Sequence, residues 1–142
     1  MKTSSAKAKG RRAQYWLRDK VYEYLNNILV NSGVWNHSWS EDHVMSRPMA
    51  SPGEDLIISP TARQWFPFAP ECKNSERIGF WPTVVQAESN SRDHIPLILF
   101  MKNRTRPWIA IPADEFFDIL NLAALARDDY NTLFNEVQED QT

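Results

Sequence analysis

The sequence predicts a mixed α/β protein: a central mixed β-sheet flanked by helices, in the order helix, three strands, helix, two strands, helix. Three observations carry this expectation. Apolar residues from Ala13 to Leu29 recur at three- and four-residue spacing, which makes one buried stripe on a helix. Short apolar runs at Asp55–Ile58, Phe66–Lys73 and Ile95–Lys102 are bounded by Pro, Gly, Ser and Asn, as strands are. Between the last two runs, Ile78–Asn90 returns to helical spacing, with Pro82 near its start.

Taken in order, residues 1–9 hold Lys, Ala and Ser without an apolar period and read as a flexible basic tail. The first helix follows from Arg11, with Ala13, Trp16, Leu17, Val21, Tyr24, Leu25, Ile28 and Leu29 on its stripe, and stops near Asn31-Ser32-Gly33. Val34–Asp42 is loop. His43–Met49 is the first strand, closed by Pro48 and the Ser51-Pro52-Gly53 turn. Asp55–Ile58 is a short buried strand, and Ser59-Pro60-Thr61-Ala62-Arg63 is a capped helical turn with proline at its first position. Phe66–Lys73 is the third strand.

After the Ile78–Asn90 helix, Ile95–Lys102 is apolar enough to be covered on both faces. Asn103-Arg104-Thr105-Arg106 turns the chain into Trp108–Ile111, completing a hairpin. The closing helix opens at Pro112-Ala113-Asp114-Glu115 and is expected to bury Phe116, Phe117, Ile119, Leu120 and Leu122 or nearby positions. Beyond Arg127 the chain is acidic, with a short extra helix and a frayed end. The expected organisation is thus a tail at 1–9, one domain at 10–127 and an acidic extension at 128–142. A chain of 142 residues suits a single domain.

The net charge of −2 conceals an asymmetry: Lys2, Lys7, Lys9, Arg11, Arg12, Arg18 and Lys20 crowd the start, and Asp128, Asp129, Glu136, Glu139 and Asp140 the end. A basic leading segment attracts a phosphate backbone. Cys72 is the single cysteine, so an internal disulfide is excluded and a reducing, cytoplasmic setting is expected. Three scattered histidines (His37, His43 and His94) give no usual zinc spacing. The longest apolar run, Leu97–Met101, falls far short of the ~20 residues of a membrane span, so no membrane partner is expected.

The chemistry concentrates in two segments, Gly53-Glu54-Asp55-Leu56-Ile57-Ile58 and Pro70-Glu71-Cys72-Lys73. On a strand alternate side chains share a face, so Glu71 and Lys73 point one way and Cys72 the other. If the strand headed by Asp55 lies alongside, two acids and one ammonium converge. Two such carboxylates repel by roughly several kcal/mol at an effective dielectric near 20, and a divalent cation converts that repulsion into binding.

Together with Lys9-Gly10 at the first helix, Ser46-Arg47-Pro48 before the Gly53 turn, Gln86 in the following helix and the Pro96–Ile111 hairpin, these segments resemble the PD-(D/E)xK nuclease superfamily. Within it the chain resembles the small phage and archaeal-type Holliday junction resolvases, over roughly Lys9 to Leu120. The resemblance implies a restriction-endonuclease-like core and a metal-dependent DNA endonuclease. Asp55, Glu71 and the Cys72 backbone carbonyl would hold Mg²⁺, or Mn²⁺ in its place, with Lys73 as the catalytic lysine and Gln86 bridging the attacking water or a phosphate. Glu54 stands where the superfamily has proline, so either Glu54 or Asp55 can be the first acid; Asp55 leads directly into the apolar run. Gln14 stands where resolvase-like members carry a metal-reaching glutamate and is a further candidate ligand.

The resemblance also implies branched DNA as substrate, in phage recombination or replication within the host cytoplasm. Contacts to DNA are expected from Lys9, Arg11, Arg12, Ser46, Arg47, Lys102, Arg104 and Arg106. Paired cuts imply a homodimer, with Trp35, Trp39 or Phe80 available to its interface. A sequence-specific or homing endonuclease on the same core, and a non-catalytic nucleic-acid-binding protein, are the alternatives.

Overall fold

The computed structural model describes residues 3–32 and 39–139, in a chain that divides into two compact units, Met1–Ala110 and Ile111–Thr142. The expected stop at Gly33, the 34–38 part of the expected loop with Trp35, and residues 140–142 of the acidic end lie outside the described residues.

The first unit opens with helix α1 (Thr3–Ser32). Ala13, Leu17, Val21 and Leu25 are buried on it at four-residue spacing. The helix reaches back through most of the segment expected to be a tail. Ala6, Lys7, Ala8 and Lys9 are good helix formers, and extending an existing helix costs far less than nucleating one. Arg11 and Arg12 therefore lie inside a helix and not at its start. Their backbone N–H groups are spent on the helix itself and are not free for a phosphate, so any contact to DNA expected of them would come from their side chains.

A 3₁₀ turn (Glu41–His43) leads into β1 (Val44–Ser46), which pairs antiparallel with β2 (Leu56–Ile58), Val44 opposite Ile58 and Ser46 opposite Leu56. The short helix α2 (Pro60–Arg63) has Pro60 at its first position, and the Ser59 side chain caps it by accepting from the Ala62 N–H at 3.1 Å. Strand β3 (Phe68–Asn74), helix α3 (Phe80–Ser91) and strand β4 (Ile95–Met101) form a βαβ unit, with β3 and β4 parallel and Glu71 opposite Ile98. Pro82 falls in the first turn of α3, where its missing N–H has no intrahelical acceptor to lose. Strand β5 (Trp108–Ala110) pairs antiparallel with β4. Because β4 lies between two strands, Leu97, Ile98 and Leu99 are buried at its centre.

The strands form two sheets, β1-β2 and β3-β4-β5, and not the single central sheet expected from the sequence. Among the described residues they are joined by one backbone bond, Asp55 N–H to the Pro70 carbonyl at 2.8 Å, at the head of β2. Pro70 offers no N–H in return, so the ladder does not continue.

The second unit is helix α4 (Ala113–Glu139), with Asp114 and Glu115 in its first turn, where acids suit the helix dipole. It runs without a break through the expected boundary at 127. Phe116, Phe117, Ile119, Leu120 and Leu122, expected to be buried, are exposed. A single helix has no second layer within its own unit to cover an apolar stripe. Among the described residues no helix is long and apolar enough to cross a membrane.

Candidate active site

Which way β3 residues face decides the site. Pro70 accepts from the Asp55 N–H, and the Cys72 N–H donates to Asp55 Oδ2 at 2.6 Å, so the backbone of Pro70 and Cys72 faces β2. The N–H and C=O of one strand residue leave on the same edge, so the Cys72 carbonyl also faces the Asp55 side. Side chains alternate across the strand: Cys72 is buried in the core, while Glu71 and Lys73 share the other face.

On that face α3 crosses antiparallel to β3, as the crossover requires. Lys73 Nζ donates to Gln86 Oε1 at 2.9 Å, and Asn90 Nδ2 donates to Glu71 Oε2 at 3.3 Å. Two strand residues apart is about 6.6 Å and four helix residues apart is about 6 Å, so one pair on the strand registers with one pair on the helix. Lys73 Nζ also lies 3.5 Å from Glu71 Oε1, leaving each Glu71 oxygen with its own donor.

Burial pushes the Asp55 carboxyl above its ordinary range, opposed by the Cys72 N–H, Lys73, the Gln14 amide and Arg47. Glu71 is also raised, first by burial and then by the Asp55 charge, with Lys73 and Asn90 opposing. A buried carboxylate whose ionisation is opposed by a half-buried one beside it forms the electrostatic setting that a cation relieves. Burial pushes the Cys72 thiol well up, helped by the same two acids. The Cys72 sulfur is therefore inert, and its backbone is the part that faces the site.

The two candidates for the first acid separate cleanly. Glu54 is buried against the Arg63 guanidinium, which also donates to the Phe68 carbonyl. Asp55 instead lies close enough to Glu71 for its charge to be felt there, so the fold brings Asp55, and not Glu54, together with Glu71 and Lys73. Gln14 is buried on α1 with its Oε1 accepting from the Ser46 hydroxyl, and its amide helps to hold Asp55 charged. Arg47 donates from Nε to the Glu54 carbonyl, and its backbone N–H donates to the Asp55 carbonyl at 2.9 Å. Gly53 makes this possible: at φ 108° it occupies backbone space that other residues avoid, and a Cβ there would come within 3.2 Å of Arg47 Cζ.

The other expected DNA contacts are dispersed. Lys9 lies 3.9 Å from Glu76 and its carbonyl accepts from Asn74 Nδ2 at 2.9 Å, which ties α1 to the end of β3. Arg11 and Arg12 are exposed on α1. Lys102, Arg104 and Arg106 are exposed between β4 and β5, and the Arg106 guanidinium lies 5.2 Å from the Trp108 ring centre. Trp39 packs edge-on against His43, and Phe80 stacks on Phe100.

Sequence reasoning missed Asn90 and Arg63. Asn90 had a signal, because it lies four residues beyond Gln86 just as Glu71 lies two before Lys73. Arg63 had none, since its partner Glu54 is brought to it only by the fold.

Among the described residues no group of three or more His, Cys, Asp or Glu side chains is placed to hold a metal ion. The donors present are two carboxylates and a strand-edge carbonyl, an all-oxygen set that fits Mg²⁺, which keeps several waters and takes one or two protein carboxylates. In comparisons with known proteins, no family model, no curated protein and no solved structure matches the chain.

Proposed function

We propose that the chain is a metal-dependent DNA endonuclease of the PD-(D/E)xK type, built on a restriction-endonuclease-like core and cutting branched DNA. The observation that carries this reading is the Asp55 carboxylate bonded to the backbone of Cys72, between Glu71 and Lys73. Asp55, Glu71 and the Cys72 carbonyl would hold Mg²⁺ or Mn²⁺. When bound, the ion supplies Lewis-acid polarisation of a phosphoryl oxygen and a water of lowered pKa.

The remaining residues have separable tasks. Asn90 and the Cys72 N–H fix the rotamers of Glu71 and Asp55 before any ligand arrives. Lys73 is about one-third exposed, and Gln86 holds its ammonium at the mouth of the site, where it orients a water or offsets charge on the phosphoryl oxygens. Branched DNA enters this reading through shape and backbone recognition, with paired cuts supplied by two copies of the chain in a host cytoplasm.

The test is cleavage of a labelled four-way junction and a matched linear duplex, with Mg²⁺ or chelator, beside Glu71→Ala. Metal-dependent paired cuts confined to the junction are expected. Equal cutting of the duplex would replace the junction by a general or sequence-specific substrate. Binding that persists in chelator, with no cutting of either DNA, would point to a binding protein.

A further inference from the structure

A second cleft, of about 240 Å³, opens beside the carboxylates and is lined by Arg47, Arg63, Arg92, His94, Glu54 and Asn90 among others. Its lining holds three arginines and one carboxylate. That carboxylate, Glu54, is already engaged by Arg63, and Arg47 spends its Nε on the Glu54 carbonyl. Neither Arg92 nor His94 has a side-chain hydrogen bond or ion pair among the described residues. The cleft therefore carries surplus positive charge and unspent donors in a walled space, which suits an anion with several oxygens.

The backbone adds an independent observation. Ser91–His94 is a tight turn closed by the His94 N–H donating to the Ser91 carbonyl at 2.9 Å, and Arg92 sits at φ 50°, ψ −119°. These are the angles of the first central residue of a type II′ turn, a position that glycine fills without strain. A large side chain in the glycine place of a turn is retained against its own backbone preference, and such outliers gather where a side chain has a task. Asn90, which precedes the turn, lines the cleft and also donates to Glu71 Oε2, so the cleft adjoins the acids directly.

We infer that this cleft is a strand-phosphate site: Arg92, with His94 and the free end of Arg47, would grip a backbone phosphate of the nucleic acid next to the one held between Asp55, Glu71 and Lys73. The inference rests on the nuclease reading for its second half only, since a phosphate grip is measurable without cleavage.

The experiment compares wild type, Arg92→Gly and Arg92→Lys, each as the full chain, for binding of a labelled junction and a duplex in chelator over a range of salt, with thermal melting alongside. Arg92→Gly relieves the turn while deleting the charge, so it should melt at the same temperature or higher and yet bind several-fold more weakly. Its plot of log K against log salt should be shallower by about one. Arg92→Lys should retain most of the slope. Unchanged affinity and slope in Arg92→Gly would overturn the site.

Binding is repeated on DNA with 5′-phosphate and 5′-hydroxyl ends. An equal defect on both supports an internal strand phosphate, and a defect confined to phosphorylated ends overturns that assignment in favour of end recognition. Weaker binding by Arg92→Gly beside a wild type that never cuts in Mg²⁺ would remove the nuclease reading and leave the phosphate site standing. Cutting by both proteins with equal KM would do the reverse.

Discussion

The backbone N–H of Cys72 donates to Asp55 Oδ2 at 2.6 Å, so the strand that carries the second acid also holds the first. The two carboxylates are positioned by each other's strand, and the cost of bringing them together is met by folding before any ligand binds. Burial raises the protonation range of both acids, and the Asp55 charge raises that of Glu71 further.

The sign of the resulting pH dependence follows. Folding penalises the ionised forms, so without a cation the stability contributed here falls as pH rises from the ordinary carboxylate range through the raised values of Asp55 and Glu71. Asp55→Asn keeps the acceptor for Cys72 and removes the charge. In chelator at about pH 7 it should melt above the wild type, with the difference closing below the ordinary carboxylate range. Added Mg²⁺ should raise the wild-type melting temperature increasingly over the same window and leave Asp55→Asn unmoved. Parallel melting curves for the two proteins at every pH would show that the acid is not under this strain.

Glu54 and Asp55 are neighbours in sequence and should fail in opposite ways. Glu54→Ala strands the half-buried Arg63 charge, a defect toward the low side of the about 3–5 kcal/mol of fully buried pairs. Urea denaturation of Glu54→Ala should show that loss, whereas Asp55→Ala should stay folded and lose cleavage. Comparable stability losses in the two variants would contradict the division of labour.

Asn90→Ala and Gln86→Ala separate the two supports on α3. Loss of a residue that orients a metal-holding carboxylate typically costs about 10-fold to 100-fold in metal affinity or activity, so Asn90→Ala should need more Mg²⁺ to reach its maximal rate. Gln86→Ala frees Lys73 and should lower the single-turnover rate at saturating Mg²⁺ without changing the Mg²⁺ midpoint. Identical metal titrations and rates in both variants would remove α3 from the site.

Gly53→Ala tests the turn that leads into Glu54 and Asp55. A side chain at φ 108° is strained by roughly 1–2 kcal/mol, and the added methyl meets the Arg47 guanidinium. The measurable outcome is a lower urea midpoint together with weaker DNA binding, and an unaltered midpoint would show that the loop adapts freely.

The buried thiol offers an assay that does not depend on function. Cys72 should resist alkylation at neutral pH and react only as fast as the chain opens, so its labelling rate should track unfolding across variants. Rapid labelling of the native protein would place the sulfur outside the core.

Much of this was legible in the sequence for physical reasons. Period-two alternation at Glu71-Cys72-Lys73 defines which side chains share a face, and the four-residue stripe of Ala13, Leu17, Val21 and Leu25 defines the inner face of α1. What escaped was set by tertiary partners. Whether Glu54 or Asp55 enters the site depends on Arg63, which α2 delivers from outside the motif. The start of α1 was missed because Lys-Ala repeats lack an apolar period yet have good helix propensity. The exposed stripe of α4 reads as buried from its spacing alone, since periodicity reports a face and not whether anything covers it.

Pro70 lies where the two sheets meet. Pro70 presents only its carbonyl to Asp55, and the Asp55 carbonyl already accepts from the Arg47 N–H, so neither residue has a second backbone bond to give the other. The imino acid halts the stitching after a single bond. The Cys72 N–H is then left to seek a side chain instead of a backbone partner, and it finds the Asp55 carboxylate. A missing hydrogen and a carbonyl already taken thus stop the stitching of the two sheets at this point, and the acids sit beside the seam.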